Sequence, residues 1–399
     1  MTYELTSLKN YYFLRKYESF SIDPWRDGDV YFGDTTLKQR ITRRIDSDFE
    51  QPRRVPKFFV FGAYGSGKTH TLANIAFSLS QNELHLTEPV YLAMPPLTSK
   101  ERWIRIHSRL LDALSPERIQ SAVEIIADEV EGPDKIRGFL ERDILLYGDD
   151  TLKVSQANIF RNFLFGGKQS QLSWEWLKGR KNTPDQATML GIQKDLGEAT
   201  DLVDCLLNLG VLYHRANRRK IVFLLDEAEA VRSVTNADAE VELQHMFRLL
   251  LDNNNTYVGL VLAVQSEQHE IPPFFLREDL MRRVDYDQGY IDLGAMVSQV
   301  NSAKEFVKHV LAYLVDQDKA EHTIATENLS VSKELFPFTD HAVDAISTHV
   351  AEQPEHASPS FILATMSSAA IEGWRRRNQS TTHVVIDPSI IEETVFPGS

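Results

Sequence analysis

The eight residues Gly62-Ala63-Tyr64-Gly65-Ser66-Gly67-Lys68-Thr69 match G-x-x-x-x-G-K-[ST] in full, and their flanks match as well. Before them, Lys57-Phe58-Phe59-Val60-Phe61 is a short apolar run that reads as a buried strand. After them, residues 69–80 (THTLANIAFSLS) carry an apolar face at helical spacing. Strand, glycine-rich loop and helix together wrap a triphosphate. The glycines let backbone N–H groups converge on phosphate oxygens, and the helix N-terminus adds partial positive charge. In that frame Lys68 reaches the β- and γ-phosphates, and the Thr69 hydroxyl sits on Mg²⁺. An ordinary Gly/Ser turn is the plain alternative, and the full motif in this context speaks against it. The loop residues, with His70 directly after them, form the predicted nucleotide-binding set, and ATP and Mg²⁺ are the expected cofactors.

A second site fits the first. Ile221-Val222-Phe223-Leu224-Leu225 is a continuous aliphatic run, as a central parallel strand covered on both faces requires. It ends in Asp226-Glu227. A carboxylate at the C-terminal tip of such a strand lies where ligands bind in open α/β sheets. Asp226 is therefore the candidate for the Mg²⁺ shell, directly or through water, and Glu227 the candidate for orienting and deprotonating an attacking water. Two solvated acids at a strand end are the alternative. With the loop upstream, the adjacent Asp-Glu pair favours hydrolysis of ATP over phosphorylation of a small molecule.

At 399 residues the chain can bury a large core and has room for two or three domains. Its 42% hydrophobic and 25% charged residues exclude a disordered or membrane-like composition. No apolar run approaches the ~20 residues that span a bilayer. The opening stretch MTYELTSLKNYYFLRKYESF is unlike a signal peptide, so a cytoplasmic location without membrane attachment is the default expectation. One cysteine, Cys205, excludes an internal disulfide and a cysteine-rich zinc site, and the twelve histidines show no paired ligand spacing. The net charge of −14 argues against coating nucleic acid over the whole surface. Basic residues nonetheless cluster at Arg40/Arg43/Arg44, at Arg53/Arg54/Lys57, at Arg215/Arg218/Arg219/Lys220 and at Arg375–Arg377. These are either solvated helix ends or a local patch for phosphates, so contact with DNA stays open.

Further elements follow in order. Pro89–Met94 reads as a second strand stopped by Pro95-Pro96, residues 257–265 (YVGLVLAVQ) as a fourth after an amphipathic helix over Asp238–Leu251, and Tyr290–Leu293 as a short last one. Alternating strands and helices imply a doubly wound parallel sheet, and from about Ala295 the pattern turns helical. Thr339 is a predicted N-cap, Ser358-Pro359 opens another helix, and Val384–Asp387 leads into a last short one.

This succession of glycine-rich loop, Asp-Glu strand, polar-tipped strand, arginine-bearing segment and helical tail resembles the AAA+ ATPases, most closely the origin-recognition and transposition-regulator group. The resemblance implies an α/β P-loop core at 51–294, a helical lid at 295–399 and an adenine-side segment at 1–50. It implies that Gln265 or Ser266 senses the γ-phosphate. Arg282 or Arg283, in LREDLMRRVDY, would reach into a neighbouring subunit's site, making the active form a homo-oligomer. It also places Tyr31-Phe32-Gly33 near the adenine, although core packing accounts for those aromatics equally well. One departure stands out: the lid helix of that family carries an arginine after its proline, whereas Ser360 and Phe361 follow Pro359 here.

The two nucleotide motifs also lie far apart. Residues from about 98 to 214 form a long, mostly helical insertion expected to project from the core, with aromatics at Trp103, Trp174 and Trp176. The stretch Leu172–Gly179, followed by a long helix into LLDEAEA, is similar to the ATP-binding proteins of BREX-type phage-defence systems. Its aromatics form either a small core or an exposed docking face. The expected function is an AAA+ ATPase whose nucleotide state controls an assembly, on DNA or with an effector protein of a defence or mobile-element system. A nucleotide-gated scaffold with little turnover is the first alternative, and a small-molecule P-loop kinase the second.

Overall fold

The computed structural model describes residues 8–395, apart from 34, 52, 82–85, 95, 101, 253, 267–272, 285–288, 294–296, 354–355 and 378–381. Five strands, β1 (Lys57–Gly62), β2 (Thr87–Ala93), β3 (Lys220–Asp226), β4 (Val258–Gln265) and β5 (Tyr290–Asp292), form one sheet. All neighbouring pairs are parallel, in the order β2-β3-β4-β1-β5. The expected α/β class with a parallel sheet is therefore observed. β1 and β3 carry the glycine-rich loop and Asp226, and β4 runs between them, so its C-terminal tip stands beside both.

Successive side chains of a strand point to opposite faces, and here each face has its own core. Phe58 and Val60 join Val222, Leu224, Val261 and Ala263 in one, with Leu72 and Ile75 of the Lys68–Gln81 helix. Phe59 and Phe61 join Phe223, Leu225, Leu260 and Leu262 in the other. Burial on both sides explains why these strands read as unbroken apolar runs.

The second core corrects one expectation. The insertion was expected to project, but its helices close that face of the sheet. Trp103, Ile106 and Leu110, on the Trp103–Leu114 helix, belong to the same continuous core as Val90, Phe223 and Leu262. The Ala199–Asn217 helix is buried along most of its length and packs against β3. An apolar sheet face needs a cover, and these helices supply it. The aromatic stretch lies inside: Trp176 is fully buried, and its Nε1 donates to the Lys194 carbonyl at 3.3 Å. Trp176→Ala is expected to cost about 3–5 kcal/mol, by cavity formation and lost contacts. Chemical denaturation would read this as a lower midpoint, and an unchanged midpoint would contradict the buried position.

The C-terminal region is helical, with Val300–Leu314, Gln317–Glu327, Asp340–Glu352, Pro359–Arg376 and Pro388–Val395. The expected Thr339 cap forms, its Oγ1 accepting from Ala342 N at 3.1 Å, and the helix expected at Ser358-Pro359 starts there, with Ser358 Oγ accepting from Phe361 N at 3.2 Å. Residues 8–32 are tied to this region. Leu14 bridges Val315, the Tyr12 hydroxyl donates to the Val384 carbonyl, and the fully buried Asp27 carboxylate accepts from Tyr17 and Tyr313. The expected division at 294/295 and the expected stop at Pro95 lie outside the described residues. Among the described residues, no helix is long and apolar enough to cross a membrane.

Candidate functional site

β1 ends at Gly62, and the chain turns through residues 63–67 into the Lys68–Gln81 helix. Gly65 and Gly67 hold φ at +76° and +92°, values that residues with a side chain rarely adopt. Lys68 folds back over the turn, and its Nζ donates to the carbonyls of Gly62 and Ala63, both at 2.9 Å. Burial pushes the Lys68 ammonium pKa down, while the carboxylates of Glu229 and Asp226 oppose that fall.

Asp226 ends β3 and is buried. Its Oδ2 accepts from Thr69 Oγ1 at 2.7 Å and from the Tyr91 hydroxyl at 3.2 Å, and its Oδ1 accepts from the Glu227 N–H at 2.9 Å. Burial and the neighbouring Asp226 charge push the Tyr91 phenol up, so it remains a donor. Glu227 is exposed and sits in the left-handed region (φ 55°, ψ 34°) at the head of the 3₁₀ turn Ala228–Ser233. A non-glycine residue there costs of order 1–2 kcal/mol, a strain concentrated at ligand-handling sites.

A cavity of about 380 Å³ opens over the loop. Its polar wall is Lys68, Thr69, His70, Asp226, Glu227, Glu229 and Gln265, and its apolar wall is Ile22, Pro24, Phe32, Phe306, Pro359 and Leu363. That volume and mix suit a small organic ligand with a charged end. The structure separates the two residues expected at the β4 tip. Gln265 is the register partner of Gly62 and lines the cavity, and its N–H donates to Glu229 Oε2 at 2.8 Å. Ser266 donates its N–H to the Gly62 carbonyl at 3.1 Å, but its side chain is buried outside the lining. Phe32 lines the cavity, whereas Tyr31 lies outside the lining, its ring stacked 6.4 Å from that of His70. His70 Nε2 donates to the Val30 carbonyl at 2.8 Å, and burial pushes its pKa down, which keeps it neutral.

The Pro359–Arg376 helix closes the loop from above. Ser360 N donates to the Gly65 carbonyl at 3.3 Å, and a Cβ added to Gly65 would come within 1.9 Å of Ser360 Oγ. Gly65 is thus needed twice, for its φ and for this close approach. Arg282 and Arg283 are elsewhere. They line a second cavity with Lys57, at the opposite end of β1 from Gly62, where Arg282 pairs with Glu278 and Arg283 Nε lies 3.4 Å from Asp252.

Several lining residues escape a sequence reading. Glu229 had a signal, a second acid two positions after Glu227 just beyond a strand tip. Ile22, Phe306 and Leu363 had none, nor had Tyr91, which reaches the site through its hydrogen bond to Asp226, because the fold gathers them from segments far apart. No protein-family model and no curated protein matches this chain, so the reading rests on this geometry.

The arrangement has a definite chemistry. A buried carboxylate hydrogen-bonded to a hydroxyl is an oxygen pair suited to a hard cation. Among the described residues no group of three or more His, Cys, Asp or Glu could hold a metal alone. The Thr69–Asp226 pair therefore fits a cation that keeps most of its shell from ligand and solvent oxygens, as Mg²⁺ does.

Proposed function

We propose that the chain is an ATP hydrolase of the AAA+ type, whose nucleotide state controls an assembly with a partner. The observation that carries this reading is the 2.7 Å hydrogen bond from Thr69 to the buried Asp226, made beside the glycine turn and Lys68. It joins the two motifs into one oxygen-lined corner, which supports the reading. In this reading Thr69 and Asp226 hold Mg²⁺, which neutralises phosphate charge. Lys68 and the N–H groups of residues 65–69 bind the phosphates. Glu227 orients water and takes its proton, and Gln265 stands where the terminal phosphate is sensed. The adenine is received by the apolar wall around Phe32, Phe306 and Leu363.

Arg282 and Arg283 face away from their own chain's cavity, which suits a role across a subunit boundary. A homo-oligomer acting on DNA or on an effector protein, in a phage-defence or mobile-element setting, is the assembly this reading expects. A nucleotide-gated scaffold is the second reading, favoured by one observation: Lys68 is the only lysine or arginine among the described residues lining the cavity. A site so equipped turns over slowly until another chain supplies positive charge.

The test is mass by light scattering with and without ATP·Mg²⁺, with phosphate release followed in parallel and no acceptor present. An ATP-dependent rise in mass accompanied by phosphate release is expected. ATP binding to a monomer without release would leave the scaffold as the better account, and no ATP binding would end both.

A further inference from the structure

The second cavity is the larger one, about 780 Å³, and it lies at the N-terminal end of the parallel strands, away from the phosphate loop. Six cations line it (Arg44, Arg53, Arg54, Lys57, Arg282 and Arg283) against one carboxylate, Asp48. Segments far apart in the chain converge there: the helix Thr35–Phe49 with the lead into β1 that follows it, and, much later in the sequence, Asn255 and the segment before β5. In a chain of net charge −14 such a concentration of one sign is an exception that needs a counter-charge.

Part of it is neutralised internally. Arg44 Nε lies 3.2 Å from Asp48 Oδ2, and both are buried. Arg282 and Arg283 have Glu278 and Asp252. The remainder is not. Arg53 and Arg54 are exposed and form no ion pair among the described residues. Lys57 is buried, and its Nζ donates to the carbonyls of Asp252 and Asn255 at 2.5 and 2.6 Å. Burial, abetted by the charges of Arg54 and Lys220, pushes Lys57 down to about 7, although Asp252 and Asp48 pull the other way. Lys220, whose Nζ reaches the Arg54 carbonyl, is pushed down by burial to about 8. These are cations held in a place that disfavours their charge, which an anion would relieve.

The basic group at Arg375–Arg377 serves as a contrast. Arg375 and Arg376 pair with Glu372, Arg376 also with Glu393, and Arg377 stacks on the Trp374 ring at 3.8 Å. That cluster is satisfied locally.

We infer that the cavity bounded by Arg53, Arg54 and Lys57 is a second anion site, built for consecutive phosphates of a nucleic-acid backbone. Guanidinium groups match phosphate geometry bidentately, and a cavity about twice the volume of the nucleotide site has room for more than one phosphate. No aromatic residue is among the described residues lining it, and Val55 is the one apolar side chain there, so it offers no stacking slot for a base. It reads backbone without sequence. The inference extends the DNA arm of the proposed function and rests on that reading only for the source of the phosphates. Inorganic tripolyphosphate shares the chemistry and is the competing source.

The experiment is fluorescence anisotropy of a labelled 30-bp duplex with the full chain, titrated from 50 to 200 mM salt. Wild type is compared with Arg53→Glu/Arg54→Glu and with Arg375→Glu/Arg377→Glu, and ATP binding is measured on each by calorimetry. Wild type is expected to bind with affinity falling steeply with salt. The Arg53/Arg54 variant should bind at least tenfold more weakly, with a log–log salt slope shallower by about two. Its ATP binding should be unchanged, which separates this site from the loop and reports an intact fold. The Arg375/Arg377 variant should bind the duplex like wild type. Equal weakening by both variants would reduce the effect to net charge and overturn the inference. Binding of tripolyphosphate without duplex, or no loss in the Arg53/Arg54 variant, would overturn it as well.

Discussion

Lys68→Ala is expected to weaken ATP binding roughly ten- to hundredfold and to slow hydrolysis of what still binds by about 10²–10³ more. Two separate losses are involved. The ammonium is the only lysine or arginine lining the cavity over the loop among the described residues, so no other side chain there would replace the charge-assisted bonds to phosphate proposed for it. The same Nζ also holds the carbonyls of Gly62 and Ala63, so its removal loosens the turn that aims the backbone N–H groups. Calorimetry gives the first number and single-turnover phosphate release the second. Lys68→Arg separates charge from shape: it keeps the charge, but a planar guanidinium cannot reproduce the compact bonding to two carbonyls. Near-normal ATP affinity in Lys68→Ala would remove the loop from the nucleotide site.

Glu227→Gln should leave ATP affinity within a few fold of wild type while lowering turnover by about 10²–10⁴, the usual contribution of a positioned general base. The substitution is nearly isosteric, and the side chain is exposed. The Glu227 N–H, which donates to Asp226, is untouched by it. Glu229 provides the internal control. It also lines the cavity, but its carboxylate accepts from the Gln265 N–H and so is already engaged in placing the β4 tip. Glu229→Gln is expected to lower turnover by less than tenfold. If Glu229→Gln abolished phosphate release and Glu227→Gln did not, the base would be Glu229, and the roles of the two acids would exchange.

What a linear reading captured were the features encoded within a few residues. The loop is contiguous with β1 and the following helix, Asp226 ends an aliphatic run, Thr339 announces a helix by side-chain chemistry that acts three residues away, and Pro359 announces another from its first helical position. Period-2 and period-3.6 patterns report which way a residue faces, not what it faces. That is why Gln265 and Ser266 were inseparable: one stands in register with Gly62, and only the placement of β4 between β1 and β3 decides which one lines the cavity. The same limit hid the fate of the insertion, since an apolar helix face packs equally well in a core of its own or against a sheet. It also left the basic clusters undecided. Arg44, Lys57 and Arg283 meet only because the helix before β1 and the segment before β5 reach the same end of the sheet.

β1 runs from the second cavity, which its Lys57 lines, to the glycine-rich loop, which its Gly62 opens, and those two ends are about 17 Å apart at ~3.3 Å per residue. All six of its residues are buried, with β4 and β5 on its flanks and a core on each face. Mechanically it is a strut. It cannot bend or stretch appreciably, so a polymer gripped at the Lys57 end, as proposed, would stand at a set distance from the glycine-rich loop, with Ser360 and its helix at the far pole. The protein would then work as a bracket, one end on a track and the other, with its nucleotide-facing helices, turned outward toward whatever comes to dock.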